Sequence, residues 1–281
     1  MKISISIPTY NRLENVRQLS KSLRNVNNIK NHHIRIYDDA STEFGKEELI
    51  KIFPNAVIKV NKHNRGADIN TYQICKDFLI TECDYLFLCD SDLIVHKDAL
   101  RFIENNIDKT EGVLSLLNSS GHKEMKKSAG TDKFVLKKYV GAAGVVFSRK
   151  IVHELIQNIP FQNANMWDWA FCNYLQKQGI KIFVSQQSYV LHTGINGENS
   201  NLLLFEFSKN YVPFTDFDQI QIDKLNKLFV ESYMGMSDLI KVKIILRKVF
   251  RTNLRRLIGF LFGEDNLFKI LSWRKKKRYK K

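Results

Sequence analysis

The stretch YLFLCDSDLIVH, residues 85–96, decides the fold: an apolar run ends in two carboxylates, Asp90 and Asp92, and apolar residues then resume. A run this continuously apolar is typical of a strand that is buried on both faces of a sheet. Burying carboxylates at the end of such a strand is costly unless a positive group pairs with them. The stretch therefore predicts a central strand whose end holds a divalent cation.

Up to about residue 200, β-rich runs alternate with helical patterns. The predicted strands are residues 3–7, 33–39, 55–60, 84–90, 112–117, 141–148 and 180–185. Apolar residues at helical spacing predict helices at 13–23, 67–80, near 165–178 and at 218–234. This alternation predicts an α/β sandwich with a mostly parallel central sheet.

Composition narrows the class of protein. With 281 residues, 44% of them hydrophobic, the chain can bury a large core. Its four cysteines are irregularly spaced, which favours buried, reduced thiols and a cytoplasmic location. The apolar stretch at the N-terminus is too short for a signal peptide, and no segment has the ~18 apolar residues of a membrane-spanning helix. We therefore expect a soluble or peripheral protein.

The positive charge is concentrated at the C-terminal end. Residues 239–281 contain 15 Lys and Arg but only two acidic residues, and they carry +13 of the net charge of +15. Residues 239–262 combine apolar and basic residues at helical spacing, which favours a helix lying on the anionic inner face of the cell membrane. The alternative is packing on the catalytic domain or on a second subunit, which leaves oligomer formation open. We expect two domains, a catalytic one over 1–204 and a helical, basic extension over 205–281.

Polar clusters follow the first four predicted strands. They are Pro8-Thr9-Tyr10, Asp38-Asp39, Asn64-Arg65-Gly66 and Asp90-Ser91-Asp92. Ligands of open α/β sheets bind beyond the carboxyl ends of the strands. The four clusters therefore predict one binding site along a single rim.

The motifs SIPTYNR, YDDAS, NRGADIN and DSD, in this order, resemble those of the family 2 glycosyltransferases with the GT-A fold. The resemblance covers roughly residues 1–200. It implies a GT-A-type sandwich that binds a nucleotide-sugar donor with the help of Mn²⁺ or Mg²⁺. It also implies transfer of the sugar, with inversion, to a glycan or lipid-linked acceptor.

Donor recognition is assigned from chemistry and resemblance together. A carboxylate at Asp39 can accept the N–H of a pyrimidine ring, so we expect a UDP-sugar, and Arg65 can pair with the nucleotide or its phosphates. Ala40 stands where the family commonly has Gly, which matters only if that position needs a positive φ. Asp68 departs from the family pattern and is expected to face the base, the sugar or a helix cap. The remaining residues expected to bind the donor are Pro8, Thr9, Tyr10, Arg12, Asp90, Ser91 and Trp167.

Oxygen-rich sites suit Mg²⁺ and Mn²⁺, and the resemblance implies that Asp92 contacts the metal. It gives Asp90 the ribose or a metal-bound water, so Asp90 and Asp92 both belong to the expected metal site. His192, after a late strand, is expected to be the third protein ligand.

Catalysis is assigned to Asp168, in the motif ANMWDW. An inverting transfer needs a base that takes the proton of the acceptor hydroxyl, and aromatic neighbours favour sugar binding. The family usually has Glu-Asp where this chain has Trp167-Asp168, so only the second acid carries over. The alternative is that Asp168 caps a helix beside core tryptophans.

Two other functions compete with this interpretation. A sugar nucleotidyltransferase would need a Gly-rich, basic loop after the first strand, and PTYNRLEN lacks it. A non-catalytic nucleic-acid- or membrane-binding protein could act through the basic tail. The apolar residues of the tail are mainly aliphatic and periodic, so we expect no nucleic-acid partner.

Overall fold

The computed structural model describes residues 1–125, 130–161, 166–195 and 205–234. The basic segment 239–281, for which a helix and a membrane contact are predicted, lies outside the described residues. No helix in the described part of the chain has both the length and the apolar character needed to cross a membrane.

The chain forms ten strands and seven α-helices within the described ranges. The strands are β1 (Ile3–Thr9), β2 (His33–Asp38), β3 (Val57–Val60), β4 (Tyr85–Leu88), β5 (Leu93–Val95), β6 (Val113–Ser115), β7 (Phe134–Lys137), β8 (Val145–Ser148), β9 (Ile182–Ser185) and β10 (Val190–His192). The helices are α1 (Leu13–Leu23), α2 (Lys46–Ile52), α3 (Ala67–Leu79), α4 (Ala99–Asn106), α5 (Arg149–Asn158), α6 (Trp167–Lys177) and α7 (Asp216–Met234).

The chain divides into two compact units. One comprises Met1–Gly194 and Glu206–Asp216, and the other comprises Ile195–Phe205 and Phe217–Lys281. The first unit contains both sheets. In the second, the described part of α7 carries two polar pairs at i,i+4 spacing, Gln219 with Asp223 and Lys227 with Glu231. The predicted border between residues 204 and 205 stays a prediction.

A large mixed sheet forms the centre of the first unit, in the order β3-β2-β1-β4-β8-β6-β9-β7. The four strands from β3 to β4 are parallel, and β6 runs parallel to β9. Strand β8 runs antiparallel to both β4 and β6, and β7 runs antiparallel to β9. The predicted α/β fold with a mostly parallel sheet is confirmed.

Burial explains why β1 and β4 lie at the centre. In β1, Ile3, Ile5 and Ile7 are fully buried, and the alternating Ser4 and Ser6 are buried as well. Because successive side chains of a strand point to opposite faces, both faces of β1 are covered. The isoleucines pack with apolar side chains of α1, α2 and α4, while α3 contacts β1, α5 and α6.

A second, two-stranded sheet supports the end of β4. Strand β5 begins directly after the DSD motif and pairs antiparallel with β10, which places His192 opposite Leu93. Beyond β10, the N–H and the hydroxyl of Thr193 donate to the carbonyl of Asp92 at 2.9 and 2.8 Å. The backbone of Asp92 is therefore fixed by residues about a hundred positions later in the chain.

Most predicted elements are present, with shifted ends. The helices predicted at 67–80, near 165–178 and at 218–234 are α3, α6 and α7. The strand predicted at 141–148 starts only at Val145, because Gly144 has φ 77° and leaves the extended conformation. All four cysteines are buried and free of disulfide bonds, as predicted.

Candidate active site

The loop after β1 is tied to the end of β2. Asn11 and Arg12 both have positive φ, 53° and 57°, which is uncommon for residues other than glycine. The N–H of Asn11 donates to Ser41 Oγ at 2.7 Å, and its Oδ1 accepts from the N–H of Thr42 at 2.8 Å. These bonds fix the turn from which the side chain of Arg12 crosses to β4.

The other donor-binding residues predicted in this loop differ in accessibility. Pro8 and Tyr10 are half-buried. Thr9 is 3% exposed, and its buried hydroxyl has no hydrogen-bond partner. Pro8 and Tyr10 therefore keep some exposed surface, whereas Thr9 lies beneath it.

The carboxylate of Asp38 stabilises the turn that follows β2. It accepts hydrogen bonds from the N–H of Ser41 at 2.9 Å and from the Ser41 hydroxyl. Burial raises the pKa of Asp38 more than these hydrogen bonds lower it. Next in this turn, Ala40 has φ 62°, so the substitution of the family's usual Gly does place a side chain in a strained conformation.

Asp39 organises the loop between β3 and α3. Its carboxylate, 2% exposed, accepts from Asn61 Nδ2 at 2.8 Å, from the N–H of Arg65 at 3.0 Å and from the N–H of Gly66 at 2.8 Å. Gly66 has φ 86°, a conformation that favours glycine. The side chain of Arg65 is left exposed at the mouth of this loop.

The DSD motif turns directly beyond β4. Ser91 and Asp92 are buried, Asp90 is half-buried, and the N–H of Leu93 donates to the carbonyl of Asp90 at 3.1 Å. Burial, with the adjacent charge of Asp92, raises the pKa of Asp90 to about 7. Two carboxylates in this position favour one shared proton or an added cation.

Two basic side chains, Arg12 and His192, lie beside Asp92. Its Oδ2 accepts from Arg12 Nη1 at 2.8 Å and lies 3.6 Å from His192 Nε2. Burial opposes ionisation of Asp92, but His192 and Arg12 outweigh it and lower its pKa. The pKa of His192 is raised, because the charges of Asp92 and Asp90 outweigh its burial. His192 thus lies beside Asp92, and its role as a metal ligand stays a prediction.

Sequence reasoning missed Glu206. Its carboxylate lies 3.0 Å from His122 Nε2. Burial opposes its ionisation, but His122 and Ser119 outweigh burial and lower the pKa of Glu206, and the charge of His192 lowers it further. Glu206 therefore pairs with His122, and its charge helps to raise the pKa of His192. Glu206 stands in an irregular, aromatic segment, FEFSKN, where no periodicity or motif marks it.

The N-terminal end of α6 gathers three of the predicted residues. Asp68 accepts from the N–H of Met166 at 2.8 Å and of Trp167 at 3.3 Å, so it caps α6. Trp167 is 1% exposed and packs edge-on against Tyr72 at 5.2 Å. Trp167 is therefore a core side chain, since burial leaves no ring face for a ligand, and the cap is the role of Asp68 that the structure shows.

Asp168 keeps partial exposure on the first turn of α6. Its Oδ1 accepts from the N–H of Trp169 at 2.9 Å. Its charge reaches Asp90, whose pKa it helps to raise. The ring of Trp169 stacks on Tyr139 with centroids 5.2 Å apart. An acidic group thus stands beside an aromatic surface and close to the DSD motif.

The donor atoms of this site fit a divalent cation. Asp92 Oδ1 is buried and has no hydrogen-bond partner, and its Oδ2 is held by a cationic side chain. An oxygen and imidazole donor set suits Mn²⁺ or Mg²⁺. Within the described ranges, no three His, Cys, Asp or Glu side chains are yet gathered tightly enough to hold a metal.

Comparison with known proteins supplies the family. Residues 4–164, more than half of the chain, match the profile "Glycosyl transferase family 2". The chain belongs to this family. This glycosyltransferase is also 32% identical over 114 residues to the abequosyltransferase RfbV of Salmonella typhimurium strain LT2. That match covers 38% of this chain and 33% of the relative, so this glycosyltransferase spans about a third of the relative's length.

Solved structures share the fold of this glycosyltransferase. The structure of S. aureus TarS 1-349 in complex with UDP-GlcNAc has a TM-score of 0.55 at 18% identity, covering 96% of this chain and 76% of that one. A second crystal structure of S. aureus TarS 1-349 has a TM-score of 0.53 at 15% identity. The match covers 98% of this chain and 80% of that one. At this level of identity the likeness concerns the fold.

Proposed function

We propose that this glycosyltransferase moves a sugar from a UDP-sugar to a hydroxyl of a glycan or lipid-linked acceptor, with inversion and with the help of Mn²⁺ or Mg²⁺. The proposal is carried by the meeting of three acidic groups at the end of β4. Asp90 and Asp92 lie side by side, and the charge of Asp168 acts on Asp90. Two acids that bind a cation and one that accepts a proton are the groups such a transfer needs.

The nucleotide is assigned to the ends of β2 and β3. The carboxylate of Asp39 accepts from three donors, which leaves acceptor capacity for the N–H of a uracil ring. The exposed guanidinium of Arg65 can meet the phosphates at the start of α3, where helix N-termini favour anions. The TarS complex with UDP-GlcNAc supports UDP as the carrier.

Asp92 and His192 would hold the cation, with Asp90 beside them. When bound, the cation neutralises negative charge on the diphosphate as the sugar leaves it. Thr193 and β10 keep Asp92 in place through its carbonyl. Gly194 completes the site, because an added Cβ there would lie 2.0 Å from Asp92 Oδ2.

Asp168 would act as the general base. As the acceptor oxygen forms its bond to the anomeric carbon, Asp168 takes the hydroxyl proton and the bond from that carbon to the diphosphate oxygen breaks. The stacked rings of Tyr139 and Trp169 offer an apolar face for the acceptor sugar. Asp68 holds α6, and therefore Asp168, in position.

The test is a screen of nucleotide sugars for metal-dependent binding and hydrolysis. We expect UDP-sugars to be consumed with Mn²⁺ or Mg²⁺, consumption to stop with EDTA, and GDP-sugars to react far more slowly. Arg17→Gln serves as a control, since Arg17 pairs only with exposed Glu48 among the bonds of that side chain in the described structure. Equal turnover with EDTA, or a preference for GDP-sugars, would contradict the metal or the UDP assignment respectively.

A further inference from the structure

The guanidinium of Arg12 lies beside the carboxylate of Asp92, where a metal ion is expected to bind. Its guanidinium donates to Asp92 Oδ2 at 2.8 Å, and the side chain of Asp92 is only 9% exposed. The Arg12 side chain itself is 34% exposed, so it lies on the solvent side of the carboxylate. A mostly buried carboxylate needs such a partner when no metal is bound.

The backbone of the loop is built to hold this contact. Two consecutive residues, Asn11 and Arg12, adopt left-handed conformations, which non-glycine residues adopt only when other contacts impose them. Bonds to Ser41 and Thr42 impose it here. The strained turn directs Arg12 across 80 residues of sequence to Asp92.

We propose that Arg12 is a positioning residue that substitutes for the divalent cation in the donor-free enzyme, and moves to the diphosphate of the donor when the metal enters. This inference rests on the proposed function. A metal ion on Asp92 and a guanidinium on the same oxygen repel each other strongly in a partly buried site. A planar guanidinium binds phosphate oxygens in a bidentate manner, so the incoming diphosphate offers it a new partner.

The consequence is cooperative binding: the metal binds far more tightly when the donor is present than when it is absent. Mn²⁺ binding to the full-length protein without nucleotide, measured from the EPR signal of free Mn²⁺, tests it. Replacing Arg12 removes a bond between charged groups, so Arg12→Gln should bind Mn²⁺ about ten-fold more tightly than the wild type. Arg12→Lys keeps the charge, and Arg17→Gln removes an arginine from α1, the helix that follows Arg12, so both should bind Mn²⁺ as the wild type does.

Saturating UDP provides the second half of the test. We expect UDP to raise the Mn²⁺ affinity of the wild type by a larger factor than that of Arg12→Gln, because only the wild type then gains the arginine–diphosphate contact. If Arg12→Gln and the wild type bind Mn²⁺ equally well without UDP, Arg12 does not take the place of the metal. If UDP raises the Mn²⁺ affinity of both proteins by the same factor, Arg12 does not move to the diphosphate.

Failure of the proposed function gives a different result. If Asp92→Asn binds Mn²⁺ as the wild type does, Asp92 is not a metal ligand, and both the metal site and this inference fall. If Arg12→Gln is too unstable to assay, a rise of its melting temperature on adding Mn²⁺ that exceeds the rise for Arg17→Gln supports the inference. An equal rise contradicts it.

Discussion

The acidic pairs after β2 and after β4 are compensated in opposite ways. After β2, Asp38 and Asp39 accept hydrogen bonds from backbone N–H groups, a hydroxyl and an amide. After β4, Asp92 faces the cationic side chains of Arg12 and His192, and one of its oxygens has no hydrogen bond. Neutral donors satisfy the first pair within the fold, while the second keeps capacity for a further positive charge.

The difference distinguishes a carboxylate that stabilises a loop from one that can accept a metal. The carboxylate of Asp39 accepts several local N–H groups and so stabilises the loop that supplies them, and its loss should lower stability. A carboxylate paired with the side chain of Arg12 can exchange that partner for a metal, and its loss should lower activity. Substitutions at the two strand ends therefore should produce different readouts.

Asp92→Asn should have the largest effect. Without this charge the cation is lost, and since a metal contributes several kcal/mol to the transition state, turnover should fall about 10³-fold. The melting temperature should stay within a few degrees of wild type, because the backbone of Asp92 keeps its bonds to Thr193. Donor hydrolysis with Mn²⁺ measures this, with Asp84→Asn, whose side chain is 56% exposed, as the control. Full turnover by Asp92→Asn would show that the β4 end needs no metal.

Asp168→Asn should lower turnover about 10²-fold through loss of the general base. Binding of UDP, measured by calorimetry, should remain, because the proposed contacts to the nucleotide come from Asp39 and Arg65, at the ends of β2 and β3. A parallel loss of UDP binding would indicate that Asp168 is a structural cap of α6 and not the general base.

Asp39→Asn should act on stability. The amide cannot accept from Asn61, Arg65 and Gly66 at once, so the free energy of unfolding should fall by about 2 kcal/mol. Urea denaturation measures it, again with Asp84→Asn alongside. An unchanged midpoint would show that the loop after β3 is stabilised without Asp39.

Gly194→Ala tests how closely the β4 end is packed. The new Cβ would meet Asp92 Oδ2, so the carboxylate must shift and Mn²⁺-dependent turnover should fall about ten-fold. Gly141→Ala is the matched control, because the nearest atom to a Cβ there is 3.9 Å away. Equal activity of the two variants would mean that the position of Asp92 is not critical.

Asp38→Asn should have the smallest effect, visible only in its pH dependence. Burial raises the pKa of Asp38 above the usual 3.8, so the folded state binds the proton more tightly than the unfolded state does. Wild-type stability from this group is complete below pH 3.8 and is lost as the pH rises through the raised value. The stability of Asp38→Asn relative to wild type should therefore increase over that range. A flat difference in urea titrations would contradict it.

The sequence predicted what local pattern encodes. Apolar runs marked β1, β2 and β4, and the polar residues after them marked the rim, since strand ends of a parallel sheet meet at one edge. The local pattern could not predict contacts between segments that are distant in the sequence. The bond from Asp68 to Met166 joins residues 98 positions apart, and Arg12 and Asp92 are 80 positions apart. Both depend on how β1, β4 and α6 pack, so Asp68 as a cap and Trp167 as a core residue required the structure.

The bonds from Thr193 to Asp92 also bear on the order in which a nascent chain matures. Domains fold largely from the N-terminus as they leave the ribosome, and β1, β2 and β4 can pair while later segments are still being made. Asp92 acquires its backing only when residues 190–193 emerge and β10 joins β5. A chain released before that point carries the DSD motif without the strand that fixes it. Asp92 therefore gains these bonds only after about a hundred further residues have been synthesised.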